Sequence, residues 1–218
     1  MQEIKIREGY FITFEGVDGA GKSTHVAKLC EYLDEKGYQT VRYREPGGTP
    51  FGEDIRKVLL SRDKRTSLSD MLLFNAARSE GTSSIIKPAL ARGNLVVADR
   101  YYDSTRVYQG IVGSLDLGEV NQVIRIATQG VIPDLTLLID ADPMIVSRGE
   151  KDQFEARGVG YQQKLRNGFL EIADKERKRI KIIPYRREDI GGMQSQIRRI
   201  VDESLKQHIK DARYGVTI

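Results

Sequence analysis

The chain has 218 residues, with 35 Lys and Arg against 31 Asp and Glu and a formal net charge of +4. That length buries one sizeable core and requires no second, and the surface is richly charged but only mildly basic. No block of like charges resembles a nucleic-acid arm, so no nucleic-acid partner is expected. The single Cys30 has no internal disulfide partner, no apolar start follows basic residues, and no apolar run is long enough to span a bilayer. A soluble, cytoplasmic protein with no membrane partner is the expectation.

The first apolar run, Tyr10–Phe14, predicts a buried strand and leads into Gly16-Val-Asp-Gly-Ala-Gly-Lys-Ser-Thr24, which satisfies the pattern G-x-x-x-x-G-K-S/T. A helical pattern over Lys22–Lys36 follows, with Cys30 among Val26, Leu29 and Leu33 on its apolar face. Strand, glycine loop and helix form the frame that a triphosphate requires. Gly16, Gly19 and Gly21 clear space for backbone N–H groups, and the amides of Gly21 to Thr24 open a helix whose positive dipole end faces the phosphates. Lys22 adds a point charge for the outer phosphates, and the Ser23 hydroxyl suits Mg²⁺, which prefers oxygen ligands. The nucleotide-binding stretch thus comprises Gly16, Val17, Asp18, Gly19, Ala20, Gly21, Lys22, Ser23 and Thr24.

Beyond it, Thr40–Arg44 predicts a strand, Phe51–Ser61 and Leu68–Ala91 predict helices, and Leu95–Ala98 predicts a third strand. A helix over Leu117–Gln129, a strand over Leu135–Asp140, a helix over Tyr161–Lys175, a strand over Lys181–Pro184 and a helix over Asp189–Asp211 complete the series. The alternation implies an α/β fold of three layers, a five-stranded parallel sheet with helices on both faces. Ligands bind beyond the carboxyl ends of such strands, which here lead into Arg44-Glu-Pro-Gly-Gly-Thr49, Asp99-Arg-Tyr-Tyr-Asp-Ser104 and Asp140-Ala-Asp-Pro143. Arginine at a strand end often only braces a neighbouring carboxylate. Two of them, Arg44 and Arg100, on the edge that carries a phosphate loop point instead to a second phosphate held opposite the first, since a planar guanidinium grips phosphate with two prongs. That arrangement describes phosphoryl transfer between two nucleotides. The densest charge run, Lys175 to Lys181, reads as a solvated helix end, and His25 as a residue without chemistry.

Taken together, EGVDGAGKST from Glu15, REPGGT from Arg44, LLFNAAR ending at Arg78, DRYYDSTRVYQG from Asp99 and PDLTLLID from Pro133 resemble the thymidylate kinase family, in order over about three quarters of the chain. The resemblance implies a single P-loop kinase domain over residues 1–218, a homodimer, and transfer of the γ-phosphoryl of ATP to dTMP with Mg²⁺, giving dTDP and ADP on the way to dTTP. It implies Arg44 and Arg100 as clamps on the dTMP phosphate, Asp18 as a ligand of the acceptor sugar, Phe74 as the ring stacked on thymine and Arg78 as a contact to a base carbonyl. Ser104 belongs to the same substrate-binding set, Thr105 and Gln109 lie near the base edge, and Tyr108 crowds the 2′ position. Lys22, Arg100 and Asp99 then serve catalysis, with Ser23 and Asp99 placing the metal. Some of these residues have a plainer use: Phe74 lies in the apolar pattern of Leu68, Met71 and Leu72, Tyr108 serves equally as packing, and Asp18 serves equally to stabilise a turn. For the dimer, the helices Leu68–Ala91 and Leu117–Gln129 offer a surface, though both also suit packing on the sheet.

Transfer must exclude water, so a lid is expected over the reaction, and Arg148 to Gly160, polar and glycine-bearing, is the candidate. Here the chain departs from the family, whose glycine-type phosphate loops pair with a lid arginine in a D-R-x-E pattern. This chain reads Asp152-Gln-Phe-Glu155, with Gln153 in the arginine's place. Three explanations follow: Arg148, Lys151 or Arg157 substitutes, with Arg148 and Arg157 favoured; the enzyme is slow; or the chain binds nucleotides without efficient transfer. The alternatives to dTMP phosphorylation are therefore another nucleoside or deoxynucleoside monophosphate kinase and a P-loop regulatory protein with weak transfer.

Overall fold

Strand β1 (Tyr10–Glu15) is buried at every residue, so it requires a partner strand on each edge and a helical layer on each face. The computed structural model, which describes residues 9–61, 64–146 and 158–214, supplies both. β2 (Thr40–Arg44), β3 (Leu95–Asp99), β4 (Leu135–Asp140) and β5 (Ile180–Pro184) join β1 in the order β2-β3-β1-β4-β5, and every neighbouring pair is parallel. The register aligns Phe14 with Asp99 and Asp99 with Arg44. Three strands thus release their following loops at one level of one edge.

The period-two alternation of β1 sorts its side chains between the layers. Tyr10, Ile12 and Phe14 join the cluster that contains Val26, Leu29 and Leu33 of α1 (Lys22–Glu35) and Ile197, Val201 and Leu205 of α8 (Ile190–Tyr214). Phe11 joins Val96, Ala98 and Met71, with Val120 and Ile124 of α6 (Leu117–Thr128). Cys30 lies on the buried side of α1, and His25 is enclosed, its ring nitrogen 2.8 Å from Gln194 Nε2. α2 (Pro50–Leu60) and α7 (Gly158–Lys175) are two further helices.

Three segments differ from the sequence expectation. The helix read over Leu68–Ala91 is α3 (Ser67–Gly81), a π-helical turn (Thr82–Ile86) and α4 (Lys87–Ala91). Pro88 has no N–H to give Ser84 and its ring crowds that carbonyl, so the ladder re-registers ahead of it. A short α5 (Tyr102–Thr105) and a second π-helical stretch (Arg106–Ile111) fill a region read as loop. The charge run Lys175–Lys181 does lie at the end of α7, with Lys175, Arg177 and Lys178 exposed, but it is not solvated throughout. Arg179 turns inward to both oxygens of the buried Asp103, at 2.8 and 3.0 Å, and Glu176 accepts from Arg179 at 2.7 Å, because a buried carboxylate requires a counter-charge. Gly158 to Gly160, assigned to the candidate lid, begin α7; the rest of the candidate, with Arg148, Lys151, Gln153 and Arg157, lies outside the described residues. Among the described residues no helix is long and apolar enough to cross a membrane.

Candidate active site

The carboxyl ends of β1, β2 and β3 open onto a cavity of about 410 Å³, within the range of nucleotide-sized pockets. One wall is the glycine loop, represented by Asp18, Gly19, Gly21, Lys22, Ser23 and Thr24. Val17 and Ala20 point away into the core, and Gly16 passes so close to β4 that an added Cβ would lie 2.5 Å from the Ile139 carbonyl oxygen. Gly21 holds φ at 80° immediately before α1, which starts with no side-chain cap. The first amides of α1 are thus left for a ligand, the arrangement that suits an anion.

Lys22 is 7% exposed, and its ammonium donates to the carbonyls of Gly16 at 3.2 Å and Val17 at 2.8 Å. Burial, and then the nearby Arg100 guanidinium, bring its pKa down to about 8. Asp18, 4.0 Å from that ammonium, shows the opposite balance: burial pushes its carboxyl up, but Arg100 and Lys22 outweigh it and hold the group down to about 2. Arg100 pairs with Asp18 directly, and the Tyr108 hydroxyl donates to the second Asp18 oxygen at 3.0 Å. Ser23 donates to Asp99, so the two oxygen-bearing groups expected at a metal already touch.

The rest of the lining comes from the other loops and helices. Arg44 lines the cavity, half exposed, while its guanidinium reaches both Glu53 oxygens at 2.8 Å. An exposed pair of this kind is worth at most about 1 kcal/mol, so Arg44 is available to a phosphate. Phe74 lies half-buried on the cavity wall and packs against two hydrophobic clusters. Arg100, Ser104, Thr105, Tyr108 and Gln109 complete this side. Arg78 does not line the cavity: it is 1% exposed, and its guanidinium donates to Glu45, to Asn75 Oδ1 at 2.7 Å, to the Tyr101 carbonyl and to Thr105 Oγ1 at 3.1 Å. Its place is thus behind Thr105.

Sequence reasoning missed Glu45, Pro46, Arg56 and Leu60, all on the cavity wall. Glu45 and Pro46 stood inside a quoted motif without a role. Arg56 and Leu60 are four residues apart on α2 and hence share a face, the available signal. Arg56 donates to the Pro46 carbonyl at 2.9 Å, which ties α2 to the loop after β2.

The family profile described as Thymidylate kinase matches residues 14–197. Among curated relatives, the thymidylate kinase of Symbiobacterium thermophilum is 40% identical over 208 residues, covering 93% of this chain and 97% of its own. That of Sulfurihydrogenibium is 39% identical over 206 residues, covering 91% and 98%. The crystal structure of thymidylate kinase from Ehrlichia chaffeensis superposes with a TM-score of 0.76 at 35% identity, over 89% of this chain and 99% of that one.

Proposed function

The chain belongs to the thymidylate kinase family and phosphorylates dTMP with ATP; we propose that the cavity lined by the glycine loop, Arg44 and Arg100 is where it does so. The observation that supports the assignment is a single cavity lined by the start of α1 with Lys22 and by Arg44 and Arg100, with Lys22 and Arg100 both beside Asp18. Neither a different monophosphate nor a regulatory switch is favoured by the relatives.

ATP enters with its outer phosphates against Gly19 to Thr24. Lys22 then exchanges the Gly16 and Val17 carbonyls for phosphate oxygens, whose negative charge favours the ammonium form that burial disfavours. The dTMP phosphate competes with Asp18 for Arg100 and with Glu53 for Arg44. Asp18, released, is free to accept from the acceptor sugar, with the Tyr108 ring beside it and Phe74 against the base. Thr105, Gln109 and Ser104 border the base and phosphate, and Arg78, which does not reach the cavity, holds Thr105 from behind. Ser23 and Asp99 are oxygen donors at the loop, the chemistry Mg²⁺ accepts with few protein ligands. When bound, Mg²⁺ neutralises the charge on the transferring phosphoryl group. Alignment and charge neutralisation are most of what phosphoryl transfer asks of the protein. Gln153 brings no charge, so that part falls to Arg148 or Arg157, within a lid that precedes α7 in one P-loop domain.

We further propose that two copies meet across α3 and α6, which pack together and leave Leu68, Leu72 and Ile126 exposed. Cytoplasmic ATP and dTMP set the location of the work. The site assignment is tested by Arg44→Ala and Arg100→Ala. Each raises KM for dTMP about tenfold or more, the worth of a charge-assisted hydrogen bond, and changes KM for ATP by less than twofold. Equal effects on both substrates refute it.

A further inference from the structure

Arg100 holds φ at 70°, a left-handed conformation that a side-chain-bearing residue keeps only when its surroundings impose it. The imposing groups are the last two residues of β1. Arg100 N donates to the Phe14 carbonyl at 2.9 Å. On the other side, one Glu15 oxygen accepts from Tyr101 N at 2.8 Å and from Ser104 N at 3.3 Å, and the other accepts from Ser104 Oγ at 2.6 Å. α5 has no side-chain cap from its own N-cap residue, Tyr101, so Glu15 does that work from a neighbouring strand. The Ser104 hydroxyl has one proton and gives it to Glu15, which leaves its lone pairs for Arg100 Nη1, 2.9 Å away.

Glu15 is 1% exposed and does not line the cavity, so it touches no substrate. A carboxylate in that position is costly. Burial, and then Asp103, push it up to about 7, while Arg100 pulls it down. Arg106 and Arg179 occupy Asp103 from behind. Neither pairs with Glu15, whose nearest guanidinium is that of Arg100, at 4.0 Å.

We propose that Glu15 is a positioning residue for the acceptor phosphate, fixing through Ser104 and the backbone of residues 101–104 the conformation in which Arg100 faces the cavity. The proposal rests on Arg100 as the acceptor clamp. Glu15→Gln keeps length and shape but turns one acceptor into a donor, so the Ser104 hydroxyl reverses and no longer serves Arg100. Steady-state kinetics of the full chain are compared for Glu15→Gln, Ser104→Ala, Arg100→Ala and the Glu15→Gln/Arg100→Ala pair. Glu15→Gln raises KM for dTMP about tenfold in the Arg100 background, leaves KM for ATP within twofold, and adds nothing once Arg100 is alanine. Ser104→Ala, which removes only the hydroxyl, reproduces the direction of the change should the glutamine variant fold poorly. An equal rise in both backgrounds, or in both substrates, overturns the role of Glu15 alone. Unchanged KM for dTMP in Arg100→Ala overturns the clamp and the proposal together.

Discussion

Lys22→Met exchanges the buried ammonium of the glycine loop for an apolar chain of similar length. With its pKa taken from 10.5 to about 8, Lys22 destabilises the empty fold by about 3 kcal/mol at neutral pH, at 1.36 kcal/mol per decade. Methionine forfeits two hydrogen bonds, to Gly16 and Val17, worth about 1 kcal/mol each. The net expectation is a gain of about 1–2 kcal/mol, or roughly 2–8 °C in Tm for a chain of this size, with phosphoryl transfer lost. The sign with pH follows from proton counts. Below pH 8 folded and unfolded chains both carry the proton, and the penalty is complete. Between pH 8 and 10.5 the folded chain has released it and the unfolded chain has not, so stability rises with pH. Urea melts followed by circular dichroism at pH 7 and at intervals to pH 10 measure the difference between the two proteins. The methionine variant is the more stable at pH 7 and lacks the added rise above pH 8. A variant less stable at pH 7, or one with an unchanged pH slope, refutes the reasoning.

Arg78→Met leaves the Glu45 carboxylate, 3% exposed, without its counter-charge, and costs about 3–5 kcal/mol, read as a fall in urea midpoint; adding Glu45→Gln recovers part of it. Phe74→Ala removes the ring from the cavity wall and raises KM for dTMP at least fivefold, since base stacking on an aromatic is worth about 1–3 kcal/mol. A rise of less than twofold in steady-state assays argues against stacking, and an equal rise for ATP points to packing alone.

The sheet and the phosphate loop are readable in the residues because both rest on local pattern. β1 alternates between two layers, and the glycines of residues 16–21 have few other uses beside Lys22. Residues 102–111 are not readable, since Asp103, Ser104 and Thr105 favour turns, and the helix is held by Glu15, 86 residues or more away in sequence. Arg78 shows the same limit. Its spacing on α3 places it near Phe74, but its enclosure depends on Glu45, 33 residues distant. The inward turn of Arg179 depends likewise on Asp103, 76 residues distant. Non-local charge pairing leaves no periodic trace in a sequence. Where it decides a residue's surroundings, as at Arg78 and Glu15, spacing identifies the neighbourhood and the fold supplies the contact.

The most direct test is ADP formation by the purified full chain in a coupled spectrophotometric assay, with ATP and Mg²⁺ present and each nucleoside monophosphate supplied in turn. ADP release that requires a monophosphate, is fastest with dTMP and matches dTDP mole for mole is the expected result. Equal ADP release with and without dTMP contradicts it.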